Sequence, residues 1–279
     1  MGANAEGRVV KVPRRGTVST VLDCRTVFPQ GMVEAKLARR ARCDQSASAF
    51  QPTGLAVGKD GTLYVADEAN AVWAVTPSGR IRKVVGTGRE LPAAPVLAGP
   101  ARDVDVFHPG GIAVGPDGSL YFEDAGRVVK LGKDGMVTVV AGNGSPRGYS
   151  GDGGQATDAT IDIGGVAVDS NGNLYIGGGS RVRRVDMHGV VTTVAGPPAT
   201  AAQFSSVSGL AFDGAGNLFV AEDTPPGVQR IGHAGSVTIV AGDARSPLAS
   251  VHGIAVDTGG NVYVPDILGT RVVMVGASP

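Results

Sequence analysis

An all-β fold, a β-propeller of four-stranded antiparallel blades, is what this sequence predicts, and three observations carry it. A segment of the form Gly-[Ile/Leu/Val]-Ala-[Val/Phe] recurs five times. Each copy is followed by a Gly turn and by runs of β-branched and aromatic residues in period two. No stretch of helical length shows a 3.6-residue apolar period, apart from a short candidate between Met32 and Arg42. That removes a βαβ arrangement as the alternative for a chain rich in Ala, Val and Gly.

The copies open at Gly54, Gly111, Gly165, Gly209 and Gly253, at spacings of 57, 54, 44 and 44 residues. The shorter spacings suit one four-stranded blade. Strand a is the small-residue run itself, as in Gly54-Leu-Ala-Val57. A turn such as Lys59-Asp60-Gly61 or Ser170-Asn171-Gly172 follows, with Gly where φ must be positive. Strand b is Leu63-Tyr64-Val65-Ala66 and its equivalents, and strand c is Val182-Arg183-Arg184-Val185 and its equivalents. A second Gly turn leads to strand d, which closes as Val84-Val85-Gly86, Val140-Ala141-Gly142, Val194-Ala195-Gly196 and Val240-Ala241-Gly242. A thin sheet of this size cannot cover both of its own faces, and stacking the sheets around an axis covers them all. Strand a lies nearest that axis, where Gly and Ala answer the crowding.

The N-terminus opens in mid-repeat. Arg8–Val12 matches strand c and Gly16–Val21 matches strand d, whereas the last repeat supplies a, b and c. Two arrangements follow: five blades closed by N- and C-terminal strands, or an incomplete six-bladed ring. Residues 1–279 are read as one domain, with 22–51 an irregular insertion holding both cysteines, Cys24 and Cys43. A disulfide between them and two unpaired thiols both fit the sequence. Gly31–Arg42 reads as a short basic helix or, more simply, as a solvated loop.

Composition narrows the function. Forty-two per cent hydrophobic and 18% charged residues support a large core rather than disorder. Lys plus Arg and Asp plus Glu are equal at 25 each, so charge makes no case for nucleic acid or an anionic membrane. No apolar run approaches the roughly 20 residues of a membrane span. The first residues carry no apolar signal segment, and the compartment stays open, including an extracellular one if the chain belongs to a longer exported protein.

The unit Gly-[Ile/Leu]-Ala-Val-Asp-x-x-Gly-Asn-Leu-Tyr-[Val/Ile]-Ala-Asp, then Arg-Val-x-x-Val, then Gly-x-Val-x-Thr-Val-Ala-Gly, resembles bacterial NHL repeat proteins. The linker Ala141-Gly-Asn-Gly-Ser-Pro-Arg-Gly-Tyr-Ser-Gly-Asp-Gly-Gly-Gln-Ala-Thr157 is similar to that of the teneurin-type subgroup. This resemblance spans Arg8 to Val275 apart from 23–49. It implies a propeller, usually six-bladed, that binds protein or other ligands through one face. A minority of related propellers are lyases or gluconolactonase-like hydrolases.

Candidate site residues follow from position. Acids recur at the end of strand b as Asp67/Glu68, Glu123/Asp124, Glu222/Asp223 and Asp266, and the third repeat has Gly177-Gly178-Gly179 instead. A carboxylate ring could hold a hard cation, but turn chemistry accounts for the recurrence. His108 and His252 precede strand a and face the same mouth, at different offsets from their glycines, while His188 and His233 fall in outer turns. Trp73 reads as packing between blades. No nucleophile elbow, His-Glu-x-x-His or phosphate loop is present. The expectation is a non-enzymatic, monomeric recognition scaffold for an unknown protein, glycan or small-molecule ligand, without cofactor, metal or catalytic group. Its binding residues would be His108, Glu123, Asp124, Tyr149, Asp152, Glu222, Asp223, His252 and Asp266. The alternative is a lyase or hydrolase centred on the histidines and acids of the mouth.

Overall fold

The computed structural model describes residues 2–4, 8–11, 19–23, 52–89, 97–145, 148–197, 204–232, 235–243, 247–257, 259–266, 268–269 and 271–276. Cys24, Cys43, the 31–42 segment and His233 lie outside them.

Gly2–Asn4 (β1), Arg8–Lys11 (β2) and Ser19–Asp23 (β3) form a three-stranded sheet. The first repeat gives Pro52–Val57 (β4), Leu63–Asp67 (β5), Ala71–Val75 (β6) and Ile81–Val85 (β7), ordered as in the chain. The second gives Gly99–Pro100 (β8), Ile112–Val114 (β9), Leu120–Asp124 (β10), Arg127–Leu131 (β11) and Met136–Ala141 (β12), in the order β8-β12-β11-β10-β9. The third gives Gly165–Val168 (β13), Leu174–Gly178 (β14), Arg181–Val185 (β15) and Val191–Ala195 (β16). The fourth gives Val207–Phe212 (β17), Leu218–Asp223 (β18), Pro226–Ile231 (β19) and Val237–Ala241 (β20). The fifth gives Ala255–Val256 (β21), Val262–Asp266 (β22) and Arg271–Val275 (β23). The described residues contain no helix, so none is long and apolar enough to cross a membrane.

The expected all-β propeller built from antiparallel four-stranded blades therefore holds, with strands a to d where the repeat places them. Of the two arrangements left open at the ends, β2 and β3 pair in a sheet of their own with β1, and β23 ends the fifth sheet among the described residues. Two strands have no counterpart in the repeat. β1 pairs with β2, and β8 adds a fifth strand outside β12 through Met136↔Pro100 and Val137↔Gly99.

The residues group into two compact units: Met1–Val114 with Gly118–Ala125 and Val129–Val139, and Gly115–Asp117 with Gly126–Val128 and Val140–Pro279. Within each, sheets pack face to face. In the first, Ala66, Val72, Val85, Val104, Phe122 and Val137 share one core. In the second, Val182, Phe204, Val207 and Val220 share one, and Phe219, Val228, Val251 and Val264 another. Tyr175 and Phe212 add an edge-to-face ring pair at 4.9 Å. In the first repeat strands b and c are buried on both faces, as Leu63–Asp67 and Ala71–Val75 show, because the neighbouring sheet of the same unit packs on them.

The crowding expected of strand a is present in both units. A Cβ at Gly54 would run into the Gly110 carbonyl. One at Gly165 would lie 2.8 Å from Gly209 Cα, and one at Gly209 2.7 Å from Gly253 Cα. The turns behave as the sequence requires. Gly61 and Gly172 have φ of 80° and 88°. In the last three repeats the Asp of Val/Phe-Asp-x-x-Gly-Asn accepts from the Asn four residues on: Asp169 binds Asn173 N and Nδ2, Asp213 binds Asn217, and Asp257 binds Asn261. Bonds from the Asn261 amide and backbone N–H hold the Asp257 carboxyl far below the usual carboxylate range.

Candidate binding surface

The recurring acids divide by burial. Asp67, Asp124, Glu222 and Asp266 are buried at the end of strand b. Three of them pin the segment that leads into strand a of their own repeat. Asp124 accepts from Phe107 N, Glu222 from Ser205 N, and Asp266 from Ala249 N, always 17 residues upstream. Asp266 also accepts from Ser250 N and Gly269 N, and its second oxygen accepts from Arg271 Nε at 3.0 Å. Asp67 accepts from Ala69 N and from Trp73 Nε1 at 3.0 Å, so Trp73 combines half-buried packing against Leu63, Val65 and Val75 with a polar tether.

The third repeat has no acid there and uses another solution. The Tyr149 hydroxyl donates to Gly178 O at 2.8 Å and accepts from Ser180 N at 3.0 Å. Gly at 178 and 179 makes room: a Cβ at Gly178 would meet the Asp162 carbonyl, and one at Gly179 the Tyr149 hydroxyl. Arg181 stacks on the Tyr149 ring with its guanidinium carbon 4.4 Å from the centroid. Asp152, in the same loop, pairs with Arg183 at 2.6 Å and accepts from Thr193 Oγ1 at 2.6 Å. Arg183 also donates to Ser150 O and Thr160 O. The sequence singles out Tyr149 and Asp152 as ligand contacts, and the structure engages both within the chain. Arg183 was missed, although a strand with two successive arginines must point one of them inward.

Glu68, Asp223 and the two histidines remain toward solvent. His108 is mostly exposed, with Nδ1 3.6 Å from Glu68 Oε1. Its backbone sits at φ 49°, beside Asn70 at φ 61°, and its N–H donates to Asn70 Oδ1. A left-handed non-Gly residue is held there at a conformational cost. His252 Nε2 lies 3.4 Å from Asp223 Oδ1, which Ser250 Oγ also approaches at 3.4 Å. The two pairs repeat one design: an acid at the end of strand b or just past it faces a histidine of the following repeat's lead-in. Glu123 is half-buried, and its backbone exchanges bonds with Gly110 and Gly111. His188 is exposed in its outer turn, as expected.

Ser250, Asp223 and His252 meet through the carboxylate, whereas nucleophilic catalysis needs the imidazole between serine and acid. Among the described residues, no three His, Cys, Asp or Glu are grouped to hold a metal. Burial pushes the Glu222 carboxyl up, and bonds from Gln229 and Ser205 offset that only in part. The folded state thus holds this proton more tightly than the unfolded chain. The contribution is present below the ordinary value of 4.5 and is lost as pH rises through the raised one. Glu222→Gln is expected to flatten this decline in a Tm-versus-pH series; an unchanged profile would contradict it.

Stacked four-stranded sheets define a repeat-built β-propeller. Residues 146–210 match the teneurin NHL domain, so the NHL resemblance is shown in that stretch. The chain is 33% identical to teneurin-1 of Homo sapiens over 164 residues, 53% of this chain and 5% of that protein. It is 33% identical to teneurin-3 of Danio rerio over 162 residues, 52% of this chain and 5% of that protein. The chain thus spans about a twentieth of the length of these relatives.

Solved structures show the same fold at low identity. A catalytically inactive virginiamycin B lyase from Staphylococcus aureus with quinupristin superposes with a TM-score of 0.58 at 16% identity, over 96% of this chain and 74% of that one. An auxiliary nutrient binding protein from Bacteroides ovatus gives 0.58 at 14%, over 82% and 60%. A gluconolactonase from Xanthomonas campestris gives 0.53 at 14%, over 82% and 77%.

Proposed function

We propose that this chain is a non-enzymatic recognition scaffold that binds a protein, glycan or small ligand through its lead-in segments and strand-b ends. The observation that supports this best is the use of the recurring acids. Asp124, Glu222 and Asp266 fix backbone N–H groups of the lead-ins, which turns those segments into held surfaces. The side chains then presented to solvent, His108 with Glu68 and His252 with Asp223, are suited to polar contacts. The likeness to teneurins agrees with a binding role, while the lyase and gluconolactonase neighbours share the fold alone.

The test sets binding against turnover. The purified chain is applied to a glycan array and, separately, assayed for opening of a streptogramin B lactone and of gluconolactone. Retention on the array that His108→Ala or His252→Ala abolishes is the expected result. Turnover of either lactone that disappears in His252→Ala would replace this reading with an enzymatic one.

A further inference from the structure

The balanced charge of the whole chain conceals a local excess. A groove of about 610 Å³ lies in the first unit, between β7, the segment after β8 and the turn joining β11 to β12. Among its described lining residues Arg82, Lys83, Arg102 and Lys133 are cationic, and Asp103 alone is acidic. A smaller hollow of about 280 Å³ shares Arg82, Lys83 and Arg102 with it. Tyr64, Leu120 and Leu131 make the rest of the lining partly apolar. The other repeats build the same strands without these cations. Where strand d of the first repeat has Arg82-Lys83, the second has Thr138-Val139, the third Thr192-Thr193 and the fourth Thr238-Ile239. Arg82 stands opposite Ala74, whereas Thr192 and Thr238 stand opposite Arg184 and Arg230, so the first repeat carries that cation one strand further out. The place of Lys133 in the turn before strand d is taken elsewhere by Pro77, Met187 and His233.

We infer that this groove binds a ligand carrying two or more sulfate or phosphate ester groups on a compact organic body. Its walls are fixed by backbone bonds. Ala101 N donates to Gly135 O at 3.0 Å, and β8 pairs with β12, so the segment bearing Arg102 is tied to the turn bearing Lys133. On the other side Gly86 N donates to Ala101 O and Thr87 N to Val104 O, each at 3.0 Å. Lys83 Nζ is set in place by donating to Thr87 O at 3.0 Å. Cations held around one hollow focus a positive potential there, which a multiply charged anion relieves. Each ester group brings three terminal oxygens, enough to meet a guanidinium fork and an ammonium at once, where a carboxylate brings two. Tyr64 and the two leucines suit the organic body between the charges. The groove shares no lining residue with the His108–Glu68 or His252–Asp223 pair. Either reading can therefore fail without the other.

Isothermal titration calorimetry of the full chain tests this with a heparin-derived tetrasaccharide as the sulfate source and inositol hexakisphosphate as the phosphate source. Saturable one-to-one binding of at least one compound is expected, weakening as salt rises. Which of the two binds identifies the source. Arg102→Gln should weaken binding by about tenfold or more. So should the double variant Arg82→Thr with Lys83→Thr, which installs the residues that the third repeat has at these places. Thermal melts report folding of both. Arg230→Gln removes one cation of the fourth repeat outside the groove and should bind like wild type. Absence of saturable binding of both compounds, or binding undiminished in the folded groove variants, overturns the proposal. So does an equal loss in Arg230→Gln, because net charge would then be the cause. Trigalacturonate bound as tightly as the esters also overturns it, because carboxylates alone would then suffice.

Discussion

Asp152→Ala is expected to lower stability by about 2–3 kcal/mol, at and below the lower end of the roughly 3–5 kcal/mol for stranding one partner of a fully buried ion pair. Arg183 is only 3% exposed while Asp152 is 48% exposed, so the substitution leaves a guanidinium inside with two carbonyls, Ser150 O and Thr160 O, as its remaining acceptors. Water reaching the vacated side moderates the loss. Arg183→Met, which removes the charge and keeps much of the volume, should cost less than Asp152→Ala. Urea denaturation of both variants checks the ranking, and the reverse order would show that the guanidinium is rehydrated. The pH dependence has a definite sign. Burial raises the Asp152 carboxyl, but the bonds from Thr193 and Arg183 and the Arg183 charge outweigh it and leave it below its ordinary value. Its contribution is therefore present above the ordinary carboxylate value, about 4, and is lost as pH falls through the folded one. The difference between wild type and Asp152→Ala should shrink in that acid range.

Gly209→Ala is expected to cost about 1–3 kcal/mol or more, the effect of forcing one extra carbon into a packed interior. The added methyl would lie 2.7 Å from Gly253 Cα, 3.0 Å from Gly253 C and 3.1 Å from Ile254 N. All three are backbone, so no side chain can swing away, and β17 must separate from the following repeat. Gly227→Ala is the matched control. Its Cβ would meet only the Ala241 carbonyl at 3.4 Å and the Pro225 carbonyl at 3.8 Å. There the restriction of the unfolded chain should leave stability unchanged or raised by about 0.4–1 kcal/mol. Equal losses at both positions would mean that crowding between successive strands a is not what selects glycine.

These contrasts show what a sequence of this kind exposes to inspection. Strands a to d were legible because each belongs to a regular pattern repeated at matching offsets, and because Gly61 and Gly172 announce their turns. β1 and β8 were not, since they are two or three residues long and have no counterpart at a matching offset in the repeat. The acids were visible as a recurrence, and turn chemistry describes the local bonds of Asp67 with Ala69 and of Asp266 with Gly269. Their partners were hidden because Phe107, Ser205 and Ala249 contribute only backbone N–H groups, which no residue pattern marks. The loop around Tyr149 and Asp152 stood out by composition. Its function as a clasp depends on Arg183, 31 residues away, and on a glycine pair that reads as a simple gap in the acid series.

The constant distance of 17 residues between a buried acid and the N–H it holds has a consequence for how such a molecule assembles and changes. Closing a loop this short carries little entropic penalty compared with tying together distant parts of the chain. The second, fourth and fifth modules therefore each secure their own leading strand with material they bring along, before a neighbour exists. Native-state hydrogen exchange should show module-sized openings, with the amides of Phe107, Ser205 and Ala249 released together with their own module's sheet. A gene that duplicates or deletes one module transfers or removes the fastening whole, so variation in the number of modules need not disturb those that remain.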